Sequence, residues 1–215
     1  MAKYLIHACP KRMWYVEQYL VPSMYEQHIS DKDILIYNDE KKLGNLQAFL
    51  EASNMLHEST WHIQDDVILA HNFKSMTDRY DRGIVCGFCS EPHIPKGTQS
   101  VENMWHSFPC IRIPHKLLQE FVDWVNSDYA QKRYRAYIIE GKYDDTLFRE
   151  YMLSKYPYVK VYNLYPNIVD TIDYLIGGSI INKLRSRDLR AAYFRDTKLI
   201  EELNGKLQNT IYNSK

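Results

Sequence analysis

The run Asp33-Ile34-Leu35-Ile36-Tyr37 constrains the fold most. It is apolar almost without interruption and is closed by Asn38-Asp39-Glu40. A half-exposed strand alternates apolar and polar residues, whereas a continuous short run predicts a strand buried on both faces, as in a parallel sheet covered by helices. Its neighbours fit such a sheet. Residues 3–8 form a first apolar strand, and an amphipathic helix is predicted from about Arg12 to Tyr25, with Trp14, Val16, Tyr19 and Leu20 at its apolar positions. A helix over Leu46–Leu56 follows, then strands in 59–69 and 83–90. Phe108 to Val125 reads as a strand and then a helix starting near Pro114, with Leu117, Leu118, Phe121, Val122 and Val125 on one face. A helix over 145–155 and a strand in 159–166 complete the series. The alternation, with no repeat and no linker, predicts one α/β domain whose mostly parallel central sheet carries helices on both faces. Residues 1–183 make up that domain, and the charged segment 184–215 is expected as a C-terminal helical extension packed on it.

A chain of 215 residues can bury a large core. Lysine plus arginine equals aspartate plus glutamate at 27 each, so bulk charge offers no general hold on nucleic acid. The apolar run near the N-terminus is too short for a signal peptide, and no stretch nears the roughly 20 apolar residues needed to span a bilayer, so the expected location is cytoplasmic. Cys86 and Cys89 form a lone Cys-x-x-Cys with no second pair to complete a zinc site, and free, reduced thiols are expected.

Ligands of open α/β sheets gather at the carboxyl ends of the strands. Four clusters fall there: His7 to Arg12, Asn38-Asp39, Asp65-Asp66, and the loop after Val85. Adjacent acids at the end of an apolar strand are costly unless their charge is offset. A divalent cation with a preference for hard oxygen ligands, Mg2+ or Mn2+, would offset it; capping of a turn or simple solvation is the other reading. Of the scattered histidines, His7 alone sits in a strand-end loop. Gly177-Gly178-Ser179 falls short of a phosphate loop, and Lys183-Leu184-Arg185-Ser186-Arg187 reads as a solvated helix face.

The segment Trp61-His62-Ile63-Gln64-Asp65-Asp66-Val67 resembles the Asp-x-Asp-type metal motif of GT-A-fold glycosyltransferases, nearest to the lipooligosaccharide and collagen galactosyltransferase group and related phage and bacterial enzymes. Other matching pieces follow in the same order. His7-Ala8-Cys9-Pro10 with Arg12, then Asp39, then Gly44-Asn45-Leu46-Gln47 lie where such enzymes hold the donor. Phe108 to Pro114 resembles the strand after their acceptor loop, and Tyr143-Asp144-Asp145-Thr146-Leu147-Phe148 their second acidic pair. Pro166-Asn167-Ile168-Val169-Asp170-Thr171-Ile172 resembles a Pro-Ser-Leu-Val-x-His-type segment. The chain departs from the pattern at Thr171, where a histidine often closes the donor site, and at Gln64, where an acid is usual.

The resemblance implies a GT-A-like (Rossmann-like) transferase acting on a nucleotide-diphospho-sugar, a UDP-sugar by default. It implies Mn2+ or Mg2+ held mainly by Asp66 with help from Asp65. His7, Ala8, Cys9, Pro10, Arg12, Asp39, Gly44, Asn45, Gln64 and Asp65 would line the donor site, with Lys11 or Arg12 beside the diphosphate. Asp144 or Asp145 would serve as general base. The acceptor, a glycan, a protein or a modified nucleic acid, would enter over Cys86-Gly87-Phe88 and Trp105. Two other functions share some of these features. A nucleotidyltransferase also uses paired acids, but usually has a glycine-rich loop after its first strand, and residues 7–11 contain no glycine. A non-catalytic nucleotide- or carbohydrate-binding module would need neither acidic pair.

Overall fold

The structure is a computed structural model in which residues 3–88, 100–102, 108–141, 144–164 and 167–172 are described. Expectations for Cys89, Trp105, Gly177-Gly178-Ser179, residues 183–187 and the extension 184–215 lie outside the described residues.

Among the described residues nine strands are present: β1 Tyr4–Ala8, β2 Ile34–Asn38, β3 Thr60–Gln64, β4 Val67–Leu69, β5 Ile84–Cys86, β6 Ser100–Glu102, β7 Cys110–Ile113, β8 Val161–Asn163 and β9 Val169–Thr171. The α-helices are α1 Met13–Tyr15, α2 Val21–Glu26, α3 Asn45–Asn54, α4 Phe73–Arg79, α5 His115–Val125, α6 Asp128–Arg133, α7 Arg135–Glu140 and α8 Asp144–Lys155. Seven strands form one sheet in the order β2-β1-β3-β7-β5-β8-β6, and β4 and β9 form a second, two-stranded sheet. In the large sheet β2, β1, β3, β5 and β8 run one way, while β7 and β6 run against them. The sheet is therefore mixed, mainly parallel, and compatible with a Rossmann-like arrangement.

Alternate residues of β1 serve two cores. Tyr4, Ile6 and Ala8 join Tyr15, Leu20, Met24, Trp61, Ile63 and Phe73 on one face, with α1, α2 and α4. Leu5 faces the other core, where α3, α5 and α8 contribute Leu46, Phe49, Phe121 and Phe148. Such two-sided burial is what an interior strand of a helix-covered sheet requires. The predicted helix from Arg12 is realised as a composite: a 3-10 turn Pro10–Arg12, then α1, a π-helical turn Val16–Leu20, and α2. Pro22 has no N–H to give the helical ladder, and the wide turn sits immediately before it, with Val21 N–H bonded to Val16 O.

One expectation is corrected. β2 is an edge strand whose residues are only partly covered, and Ile36 is 36% exposed. An apolar run reports hydrophobicity, which an edge strand lying beside one neighbour also carries; it does not report how many neighbours the strand has.

Candidate functional site

β1 and β3 are parallel neighbours paired Tyr4↔Trp61 through His7↔Gln64, so their carboxyl ends emerge side by side. The loop after β1 begins with Cys9, and the chain after β3 turns at Asp65-Asp66 before entering β4. Cys9 N–H donates to Asp65 Oδ2 at 2.7 Å. The Arg12 guanidinium spans both acids, with Nη2 2.7 Å from Asp65 Oδ1 and Nη1 3.3 Å from Asp66 Oδ2. Asp65 is 2% and Asp66 8% exposed. Burial pushes the Asp65 carboxyl above its ordinary value against the opposing pull of Arg12 and the Cys9 N–H. Burial also works against the charge on Arg12, yet the two carboxylates, Asp66 first, hold its pKa above the ordinary value. Tyr15 O–H donates to Val67 O at 2.8 Å, fixing the helical segment against the start of β4.

The small sheet completes this end. β9 pairs antiparallel with β4 as Val67↔Thr171, Ile68↔Asp170 and Leu69↔Val169, and Ile172 N–H donates to Asp66 O at 2.8 Å. The segment carrying Thr171 thus lies against the Asp-Asp turn. Directly opposed residues share a face, so Thr171 goes with Val67 and the buried Asp170 with Ile68. Thr171 Oγ1 has no hydrogen-bond partner among the described residues. Sequence reading gave Asp170 no role; the β-branched pair Val169 and Thr171 around it was the strand signal that could have raised it.

On the other side of the sheet, Asp39 closes β2 and caps the following turn, accepting from Leu43 N–H at 2.9 Å and Gly44 N–H at 3.2 Å. Gly44 has φ +85°, and a Cβ there would meet Gly141 O at 3.0 Å. Leu46 N–H donates to that same oxygen at 2.9 Å. The turn carrying Gly44 and Asn45 is thereby joined to the chain leading into α8, whose first residue is Asp144. Asp144 is 7% exposed, and burial, aided by the charge of Asp145, pushes its pKa up to about 7. Asp145 is exposed and accepts from Thr146 N–H at 2.6 Å.

His7 lies between these two regions and bonds to His62, Nε2 to Nδ1 at 3.0 Å. The rings stack at 5.2 Å, and Phe49 contacts both at 5.2 and 5.1 Å. Burial lowers the pKa of His7 to about 4 and that of His62 well below its ordinary value. Ala8 is buried in the core, and Pro10 begins the 3-10 turn. Gln64 N–H is taken up by Pro109 O. Cys86 and Phe88 are buried, so their side chains belong to the core rather than to an open entrance. The described cysteines Cys9, Cys86 and Cys110 are free thiols.

Among the described residues no group of three or more His, Cys, Asp or Glu side chains is placed to hold a metal, and no helix is long and apolar enough to cross a membrane. Both Asp65 oxygens are engaged, by Cys9 and by Arg12, whereas Asp66 makes the longer contact with Arg12.

No family model and no curated protein matches the chain. Among solved structures, the crystal structure of HddC from Yersinia pseudotuberculosis aligns with 56% of this chain and 80% of its own, at 11% identity and a TM-score of 0.31. A likeness that slight bears on neither mechanism nor substrate.

Proposed function

We propose that the chain is a metal-dependent glycosyltransferase that moves a sugar from a nucleotide-diphospho-sugar, by default a UDP-sugar, to an acceptor hydroxyl, as its resemblance to GT-A-fold enzymes implies. The observation that carries this reading is the arrangement of Arg12 across Asp65 and Asp66 at the carboxyl ends of the parallel strands β1 and β3. Strand ends of this kind are where α/β sheets bind ligands, and the arrangement sets a cation beside two acids.

In this reading Asp66 is the metal ligand. Asp65 fixes the loop after β1 and aims the guanidinium. Mn2+ or Mg2+ bound there would offset the charge on the departing nucleoside diphosphate. Arg12, held above its ordinary pKa, is a permanent cation suited to diphosphate oxygens. Asp39 shapes the turn that presents Gly44 and Asn45, and the hydrogen-bonded pair of partly covered His7 and buried His62 is a neutral floor. Asp144, with a pKa near 7, is suited to take the proton from an acceptor hydroxyl near neutral pH.

The test is a thermal-shift series with UDP-, GDP-, ADP- and dTDP-linked sugars, with and without Mn2+, on wild type and Asp66→Ala. A ligand at about 100 times its Kd stabilises by about 2.7 kcal/mol, a clear shift in Tm. Manganese-dependent stabilisation by one nucleotide sugar, lost in Asp66→Ala and followed by release of the nucleoside diphosphate, supports the transferase. Stabilisation without turnover assigns a binding module. Release of pyrophosphate from a nucleoside triphosphate and a sugar phosphate assigns a nucleotidyltransferase. No nucleotide-dependent shift in any condition refutes the reading.

A further inference from the structure

We infer that the groove between α5, α6 and α8 binds a neutral oligosaccharide. The groove has a volume of about 770 Å3 and shares no residue with the Asp65–Asp66 cluster. That volume lies within the usual range for ligand sites.

Four aromatic rings run across it as a continuous strip. Tyr129 and Trp124 are 6.5 Å apart, Trp124 and Tyr151 5.5 Å, and Tyr151 and Tyr156 6.0 Å. The two inner rings are buried, but the ends of the strip are open, with Tyr129 57% and Tyr156 38% exposed. Glu120 accepts from the hydroxyls of both Tyr151 and Tyr156, which holds those rings in place. These hydrogen bonds, Tyr156 first, also keep the Glu120 carboxyl below its ordinary value.

Polar groups flank the strip and point to the class of ligand. Asp123 on α5 and Lys155 on α8 both line the groove and are exposed, so an acceptor and a donor face a ligand from different helices. An apolar peptide seated here would strip water from both charges without replacing it. The carboxylates Glu120 and Asp123 repel a nucleic acid backbone. A chain of pyranose rings fits these features: its C–H faces stack on the exposed rings of Tyr129 and Tyr156, which the buried Trp124 and Tyr151 back, and its hydroxyls both donate to Asp123 and accept from Lys155. The rings touch one another, which leaves no enclosed cage for a quaternary ammonium group. This assignment does not depend on the transferase reading, because the groove and the strand-end cluster have no residue in common.

The experiment is saturation-transfer NMR and titration of the full chain with maltohexaose, cellohexaose, mannohexaose and a galactohexaose. The expected result is binding of at least one hexasaccharide, with saturation strongest on ring C–H protons. Tyr129→Ala and Asp123→Ala each weaken that binding about five- to tenfold, and Tyr158→Ala, exposed and outside the groove, leaves it unchanged. Both test positions are exposed, so the variants keep the wild-type melting curve. Absence of binding by all four sugars overturns the inference, as does binding that survives both substitutions. Self-association of the wild type that Tyr129→Ala abolishes also overturns it, by assigning the strip to a protein contact.

Discussion

Arg12 Nη2 lies 2.7 Å from Asp65 Oδ1, and the same guanidinium reaches Asp66 at 3.3 Å. The Asp-Asp turn therefore carries its own counter-charge, supplied from more than fifty positions earlier in the chain. Removing Asp65 leaves Arg12 only its longer contact with Asp66 and leaves the Cys9 N–H without its acceptor. Asp65→Ala is expected to cost about 3 kcal/mol in urea unfolding. Asp65→Asn, which keeps an acceptor for the Cys9 N–H, is expected to cost about half of that.

Asp144 makes stability depend on pH in a defined direction. Its folded pKa of about 7 lies above the ordinary 3.8, so the folded state holds a proton that the unfolded chain has released between those values. Stability from this residue is complete below about pH 4 and falls as pH rises toward 7, by on the order of 2–4 kcal/mol. Asp144→Asn should flatten that decline and be more stable than wild type at pH 8, as read by denaturant midpoints across pH. If Asp144 is the base of the proposed transfer, kcat/KM rises through about pH 7 in wild type, and Asp144→Asn lowers it by about a hundredfold or more.

His7 and His62 act in the opposite sense. Their hydrogen bond needs one ring nitrogen as an acceptor, and burial lowers both pKa values, that of His7 to about 4. The unfolded chain binds protons near the ordinary 6.5 that the folded pair refuses. Stability is thus present above about pH 6.5 and lost as pH falls toward 4, by about 3 kcal/mol for His7 alone. Ring C–H shifts in NMR should show neither histidine titrating between pH 8 and 5, and His62→Leu should flatten part of the acid-side loss.

Gly44 and Gly141 test the join between the β2–α3 turn and α8. Gly44→Ala combines a positive φ with a Cβ 3.0 Å from a carbonyl oxygen, and should cost about 2–3 kcal/mol. Gly141→Ala has φ +64° but only an ordinary contact at 3.5 Å, and should cost about 1 kcal/mol. Equal costs would show that backbone conformation alone decides both.

What could be read from the sequence follows the range of the forces involved. β1, β3, β7 and α5 were legible because their signals are local: Leu5, Ile6 and Ile63 in short runs, and Leu118, Phe121, Val122 and Val125 at helical spacing after Pro114. The two acids were legible as a charge problem at a strand end. The guanidinium that faces them was not legible as their partner, because contact between Arg12 and Asp66 depends on the parallel pairing of β1 and β3 rather than on spacing. The partly covered edge position of β2 escaped for the same reason, since neighbours in a sheet are set by topology. The capping of Gly44 by Asp39 was within local reach, because an aspartate before a glycine-containing turn commonly accepts from the backbone.

The pairing of β4 with β9 has a consequence for how the molecule is made. Val67 meets its partner Thr171 only after about a hundred further residues have been synthesised. At about 5–20 residues per second, the stretch that begins right after Asp66 waits roughly 5–20 s for the strand that covers it. Pairing of β1 with β2 and β3 has no such wait, since all three lie within the first 64 residues. Strand β4, which follows the acidic turn, is therefore covered late on the ribosome, and a nascent chain stalled before residue 169 would hold the turn through Cys9 and Arg12 while leaving β4 without its partner.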